Sequence, residues 1–342
     1  MRKHTPRKED ENGMQTLLKT TQAYSLVKRE YEEERLAHAY LLLFNDGRNL
    51  TAALKTFAKL FLGCDECSDP AQKRLAKLID EDNFSDCLSF PSDKKKLTVE
   101  DAEKILEEST LHAVEGDKKV FLLADFAEAN VQTQNKLLKL LEEPPQGAIF
   151  LLGATTAFPI LQTVLSRVKK LEIQPFSPEQ ITDCLARCYP DKTKEQLSLF
   201  AAASNGSVGE AQNLLEGGFY KTLVQQAFSL VLAPPQKLPQ VIKDVGETKR
   251  QKELLSLLRI IFRDALLLKM QQTQRAQKAQ PAPILLKSER ENLLLVRSAY
   301  SLSALLHAQT QLSEAEKQVK FNAVFPQCLE ILLAGIQAKN KE

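Results

Sequence analysis

An α/β domain on a largely parallel sheet, followed by an all-α segment, is the fold class this sequence predicts. Three observations predict it. Short apolar runs without alternation, bounded by polar residues, recur in the first half and fit strands buried on both faces. Amphipathic helical patterns lie between those runs, as strand–helix alternation in a parallel sheet requires. After Pro175 the strand signals stop and helical spacing continues to the end.

The strand candidates are Ala39 to Phe44 (AYLLLF), Val120 to Ala124 and Ile149 to Gly153, with Cys87 to Phe90 and Val168 to Ile173 as weaker runs. Thr98 followed by Asp101 reads as a capping box. Val99, Ala102, Ile105 and Leu106 then give that helix one apolar face. Asn130 caps a second helix carrying Val131, Gln134, Leu137, Leu138 and Leu141, which Pro144-Pro145 stops. Pro178 to Gly217 reads as a small helical unit with Ile181, Leu185, Leu197, Phe200 and Ala201 at helical spacing. Phe219 to Glu342 is helical throughout. One stripe there is Leu254, Leu257, Leu258, Ile261 and Phe262, and another runs from Leu293 to Leu306. Pro234-Pro235, Pro239 and the Gln280 to Pro283 stretch mark breaks, and Gln271 to Gln280 reads as an exposed helix end or loop.

The 342 residues suffice for two or three domains with real cores. With 43% hydrophobic and 26% charged residues, composition excludes a disordered tail protein and a collagen-like fibre. A net charge of +2 excludes a strongly basic nucleic-acid coat protein. No apolar stretch is long enough for a membrane span. Met1 to Asn12 is charged and lacks the apolar core of a secretory signal. Six scattered cysteines point to a reducing cytoplasm rather than a disulfide framework. The 12 glycines supply neither G-x-G-x-x-G nor G-x-x-x-x-G-K-[ST]. A dinucleotide fingerprint or an intact phosphate loop needs such spacing, because glycine lets backbone N–H groups crowd a phosphate.

Charge is divided unevenly. Residues 219–342 hold 18 Lys/Arg against 10 Asp/Glu, net +8, which leaves net −6 for the first 218. Solvated helix faces account for most of these charges, and a basic face towards DNA or an acidic partner is the sharper alternative.

Four stretches together carry a family resemblance. Arg35 to Leu41 (RLAHAYL) resembles the strand that precedes the phosphate loop in bacterial clamp-loader AAA+ subunits. Lys119 to Asp125 stands at their Walker B strand. Asn135 to Pro145 (NKLLKLLEEPP) is similar to their most specific helical motif. Ala154-Thr155-Thr156 with Leu161 to Arg167 resembles their sensor-1 and Ser-Arg-Cys region. The resemblance covers about residues 36–216. It implies an AAA+ domain over 1–175, a helical lid over 176–218 and a helical collar for oligomerisation over 219–342. It also implies a cytoplasmic hetero-pentamer with ATPase subunits and a further clamp-loader subunit, acting on a sliding clamp and on primed DNA through the assembly, with no membrane.

Against that family the chain departs at every phosphate contact. The loop reads Phe44 to Thr51 (FNDGRNLT), with Gly47 as its one glycine and Leu50 at the position of the phosphate-holding lysine. Arg48 offers charge from a different position. Ala124 stands where the Mg²⁺-organising Asp belongs, and Asp125 at the following Glu position reads as a carboxylate capping the next loop. Gly206 to Ala211 (GSVGEA) resembles the start of a sensor-2 helix, with Glu210 in place of a phosphate-sensing arginine. A carboxylate there repels a triphosphate. Gly47, Leu50, Ala124, Asp125 and Glu210 are therefore degenerate positions, and no cofactor is expected.

Ser166-Arg167 is the intact element. In the family this arginine reaches the ATP of the neighbouring subunit, where a guanidinium stabilises transition-state charge. A surface arginine in a local ion pair is the plainer reading, and Val168 replaces the family's cysteine. Related subunits also carry a four-cysteine zinc module after the first helix. Here Cys64 and Cys67 keep one C-x₂-C pair and only Cys87 follows nearby, so no metal is expected. Asp65 to Asp82 looks like a charged helix in place of the metal loop, and Cys184 and Cys188 read as packing residues. His38 reads as structural, since no nucleophile and acid stand near it in a known arrangement.

The resemblance thus implies a non-catalytic stator that presents Arg167, positioned by Ser166, to a neighbouring ATPase. The alternatives are a self-sufficient ATPase with a cryptic site using Arg48 and Asp125, and a DNA-binding adaptor acting through the basic C-terminal part.

Overall fold

All five expected strands form, and every pairing between them is parallel. The computed structural model describes residues 8–66, 69–92, 96–273, 284–320 and 323–341. The chain divides into two units, one of residues 1–190 with 207–209, the other of residues 191–206 with 210–342.

The first unit runs α1 (Lys8–Leu18), α2 (Gln22–Glu32), β1 (Ala39–Phe44), α3 (Leu50–Phe61), α4 (Pro70–Asp80), β2 (Cys87–Phe90), α5 (Val99–Ser109), β3 (Lys119–Leu123), a 3-10 turn (Phe126–Glu128), α6 (Val131–Glu142), β4 (Ala148–Ala154), α7 (Gln162–Leu165), β5 (Lys169–Ile173) and α8 (Pro178–Cys188). Its sheet has the order β2-β3-β4-β1-β5. The central strands β1, β3 and β4 are buried almost throughout, which is why their sequences are continuously apolar rather than alternating. β5 at the edge alternates exposed and buried residues in its second half. Strand ends differ slightly from the sequence reading: β3 starts at Lys119 and closes before Ala124, and β5 starts after Val168.

Helix starts follow their caps. Thr98 and Asp101 form the reciprocal capping box of α5, and the Asn130 side chain accepts from Thr133 N at 2.8 Å at the start of α6. Asn130→Ala is expected to cost about 1 kcal/mol, read as a lower urea midpoint at an unchanged m-value. α6 carries Gln134 and Leu137, Leu140 and Leu141 into a core shared with β1, β3 and β4.

α4 fills the segment in which a charged helix was expected. Two lysines of α3 anchor its end: Lys59 pairs with Asp80 at 2.7 Å, and Lys55 pairs with Asp82 at 2.8 Å while donating to Asp80 O. α1 carries no strand or motif signal, yet Met14, Leu17 and Leu18 are buried at helical spacing. Gly13 of α1 faces Cys184 and Cys188 of α8, both of them buried.

The second unit is helical: α9 (Lys194–Ala203), α10 (Val208–Glu216, entering from the first unit), α11 (Tyr220–Leu232), α12 (Leu238–Gly246), α13 (Gln251–Thr273), a 3-10 turn (Lys287–Glu289), α14 (Arg290–Ala299), α15 (Leu302–Lys320) and α16 (Phe325–Lys341). α13 is its axis, packed against α11, α14 and α15, with Leu254, Leu257, Leu258, Ile261 and Phe262 fully buried. The Leu293 to Leu306 stripe is not one helix. The chain breaks at Tyr300-Ser301, where the Ser301 hydroxyl accepts from Ala304 N at 3.2 Å. Buried Asp264 of α13 accepts from Leu285 N and Leu286 N and pairs with Arg263, fixing the approach to α14. Most of the Gln271 to Gln280 stretch, and the Gln280 to Pro283 break, lie outside the described residues. Among the described residues no helix is long and apolar enough to cross a membrane.

Candidate functional site: the loops at the strand ends and Arg167

In a parallel sheet the carboxyl ends of all strands lie along one edge, and ligands of such folds bind there. β1 and β4 are adjacent, and the loop after β1, residues 45–49, emerges at that edge beside the segment after β4. Gly47 faces the Thr155 methyl group across this gap, at 3.5 Å from where a Cβ would stand.

Leu50 opens α3 and is 1% exposed. It points into the apolar face that α3 shares through Leu54 and Phe57 with the sheet. Gly153 in β4 lets that face come close, because a Cβ there would stand 2.9 Å from Leu54 Cδ1. Position 50 is thus part of the core.

The loop holds a charge that the sequence reading passed over. Asp46 is buried, at 2% exposure. Its Oδ1 accepts from Asn49 N at 3.2 Å, and its Oδ2 accepts from Asn49 Nδ2 at 3.0 Å and from Gly209 N at 2.7 Å. Asn49 is the cap residue of α3 and Gly209 the second residue of α10. The local half of this arrangement had a signal, since an Asp three residues before a helix start folds back on the backbone.

Ala124 and Asp125 follow β3 at the same edge. Ala124 N donates to Phe90 O at 2.9 Å. Asp125 is exposed and takes a left-handed conformation (φ 50°, ψ 38°), which Asp tolerates better than most residues. Its side chain makes no capping bond to the 3-10 turn it precedes, which corrects the expected cap of that turn; the Asp125 carbonyl accepts from Glu128 N at 2.8 Å instead. Glu210 is the residue after Gly209, in the first turn of α10.

Arg167 follows the short α7, whose last cap is Ser166. One arm of the guanidinium, NH1, donates to Thr163 O at 2.8 Å and to Ser166 Oγ at 3.1 Å. The other, NH2, pairs with Glu142 Oε1 at 2.8 Å. Glu142 closes α6, within the LLEEPP motif, and went unremarked in the sequence as a partner. The arginine side chain is 35% exposed and that of Glu142 47%, so the pair is solvent-screened and contributes little stability by itself. The backbone carbonyl and hydroxyl fix one arm, while the other rests on an exchangeable carboxylate.

Of the cysteines considered for metal, Cys64 and Cys87 are buried and Cys67 lies outside the described residues. Burial pushes the Cys87 thiol up to about 12. His38 Nε2 lies 3.0 Å from Leu141 O and joins the end of α6 to the start of β1.

A five-stranded parallel sheet with a helix behind β1 and loops gathered at the carboxyl ends of its strands, followed by helices, defines the class: a parallel α/β module joined to an all-α unit. Residues 19–177 match the family described as DNA polymerase III, delta subunit. The chain is 28% identical over 190 residues to the DNA polymerase III subunit delta' of Bacillus subtilis, covering 55% of this chain and 57% of that one. It is equally 28% identical over 197 residues to the subunit tau/gamma of Haemophilus influenzae, covering 54% of this chain and 28% of that one. The match thus spans little more than half of the Bacillus relative. Among solved structures, a gamma subunit-related protein of Thermotoga maritima aligns with 92% of this chain and 99% of its own, at 17% identity and a TM-score of 0.39.

Proposed function

We propose that this chain is a non-catalytic subunit of a bacterial replicative clamp loader, which supplies Arg167 in trans to the ATP of a neighbouring subunit. One observation carries the reading: the loop after β1 is closed by buried Leu50 and Asp46, whereas Arg167 keeps one arm fixed and one arm exchangeable. In the assembly a γ-phosphate takes the place of the Glu142 carboxylate at NH2. Thr163 O and Ser166 Oγ keep the fork aimed. A guanidinium so placed stabilises charge that grows on the phosphoryl oxygens in the transition state.

On this reading residues 1–175 form the AAA+ domain, 176–218 the lid and 219–342 the collar through which the subunits assemble. The partners are ATPase subunits and a further subunit of the loader in the cytoplasm, with the sliding clamp and primed DNA engaged through the assembly. Lacking its own phosphate contacts, the subunit keeps one shape while its neighbours cycle, as a stator must. A calorimetric titration of the isolated chain with Mg-ATP tests the inactive loop. No binding up to millimolar nucleotide is expected, and micromolar affinity with Mg²⁺-dependent hydrolysis would overturn the reading.

A further inference from the structure

A helix leaves the N–H groups of its first turn without internal partners, and an anion placed there is stabilised. In α10 one of these groups, Gly209 N, is already taken by the Asp46 carboxylate. The same carboxylate takes Asn49 N at the start of α3. Three N–H groups from two segments far apart in sequence therefore converge on one buried carboxylate. A second observation shows how close the approach is. A Cβ on Gly209 would collide with Asp46 Oδ1 and stand 2.7 Å from Arg48 Cβ, so only glycine admits the carboxylate.

We propose that Asp46 is a resident oxyanion, which fills the place a phosphate oxyanion would take and holds Ser207–Gly209 on the loop whatever the nucleotide state. Ser207–Gly209 belongs to the same unit as the loop, so the tie is internal to that unit. Removing the carboxylate leaves a small, charge-deficient site for inorganic phosphate. The proposal rests on the reading of this chain as a subunit without nucleotide of its own.

Amide hydrogen exchange of the 207–210 segment in the full chain tests it. Asp46→Ala is expected to raise exchange there roughly tenfold or more, since a hydrogen bond to a charged group is lost. Millimolar inorganic phosphate should restore the protection in Asp46→Ala and leave the wild type unchanged. Gly209→Ala, which expels the carboxylate without removing it, should raise exchange in the same segment, and Asp46→Asn guards against a variant that fails to fold. Equal exchange in the wild type and in both Asp46 variants would overturn the proposal. So would a rise that phosphate does not reverse, because a mere packing contact behaves in that way. Nucleotide binding by the wild type in the calorimetric titration would sink the proposed function instead, so the two failures are distinguishable.

Discussion

Under the proposed function, Arg167→Ala in a loader reconstituted with ATP-hydrolysing subunits is expected to lower turnover at the adjoining site by about 10³–10⁵-fold, the range of trans-acting arginines in phosphoryl transfer. The physical reason is the timing of the charge. Negative charge spreads over the equatorial oxygens only as the bond breaks, so the loss should fall on kcat while nucleotide affinity changes little. Arg167→Lys should recover little. An ammonium cannot hold Thr163 O and Ser166 Oγ with one arm and present a second arm to phosphate, as the guanidinium fork does. Glu142→Gln removes the charge that NH2 pairs with in the isolated chain and should leave kcat close to wild type. Unchanged turnover in Arg167→Ala would leave this residue a surface arginine paired with Glu142. Single-turnover hydrolysis beside equilibrium nucleotide binding separates these outcomes.

The two elements of the site were unequally legible in the sequence. Strands β1 to β5 were readable because burial on both faces writes itself as continuous apolar runs, and α5 and α6 because their caps are local. Arg167 was readable through the motif around it. Its partner Glu142 was not, because nothing local in either motif fixes a contact between the end of one helix and the cap of another. Leu50 was legible as a substitution, but its burial depends on how closely α3 lies over Gly153. Asp46 was the least legible. Its bond to Asn49 is local, whereas its bond to Gly209 joins residues 163 positions apart, and no periodicity signals such a pairing. The break at Tyr300-Ser301 was hidden because the leucines on either side of it keep a helical period across two helices.

Leu50→Lys places a lysine where the proposed function reads a lost phosphate-loop lysine, and it is expected to destabilise the chain rather than confer nucleotide binding. Leu50 is 1% exposed and lies among the buried residues of α3. An uncompensated buried charge costs about 3–5 kcal/mol. Leu50→Met, of similar volume, should cost less than about 1.5 kcal/mol, which separates the effect of charge from that of shape. Urea unfolding of the two variants reads this difference directly. Nucleotide binding is a separate matter, because the loop still contains the Asp46 carboxylate. At about 4 Å and an effective dielectric constant near 20, two like charges repel by about 4 kcal/mol, enough to cancel much of what one restored lysine could supply. Mg-ATP titration of Leu50→Lys should therefore remain flat. A gain of micromolar affinity from that one substitution would mean that the lysine alone had been missing, and that Asp46 does not guard the loop.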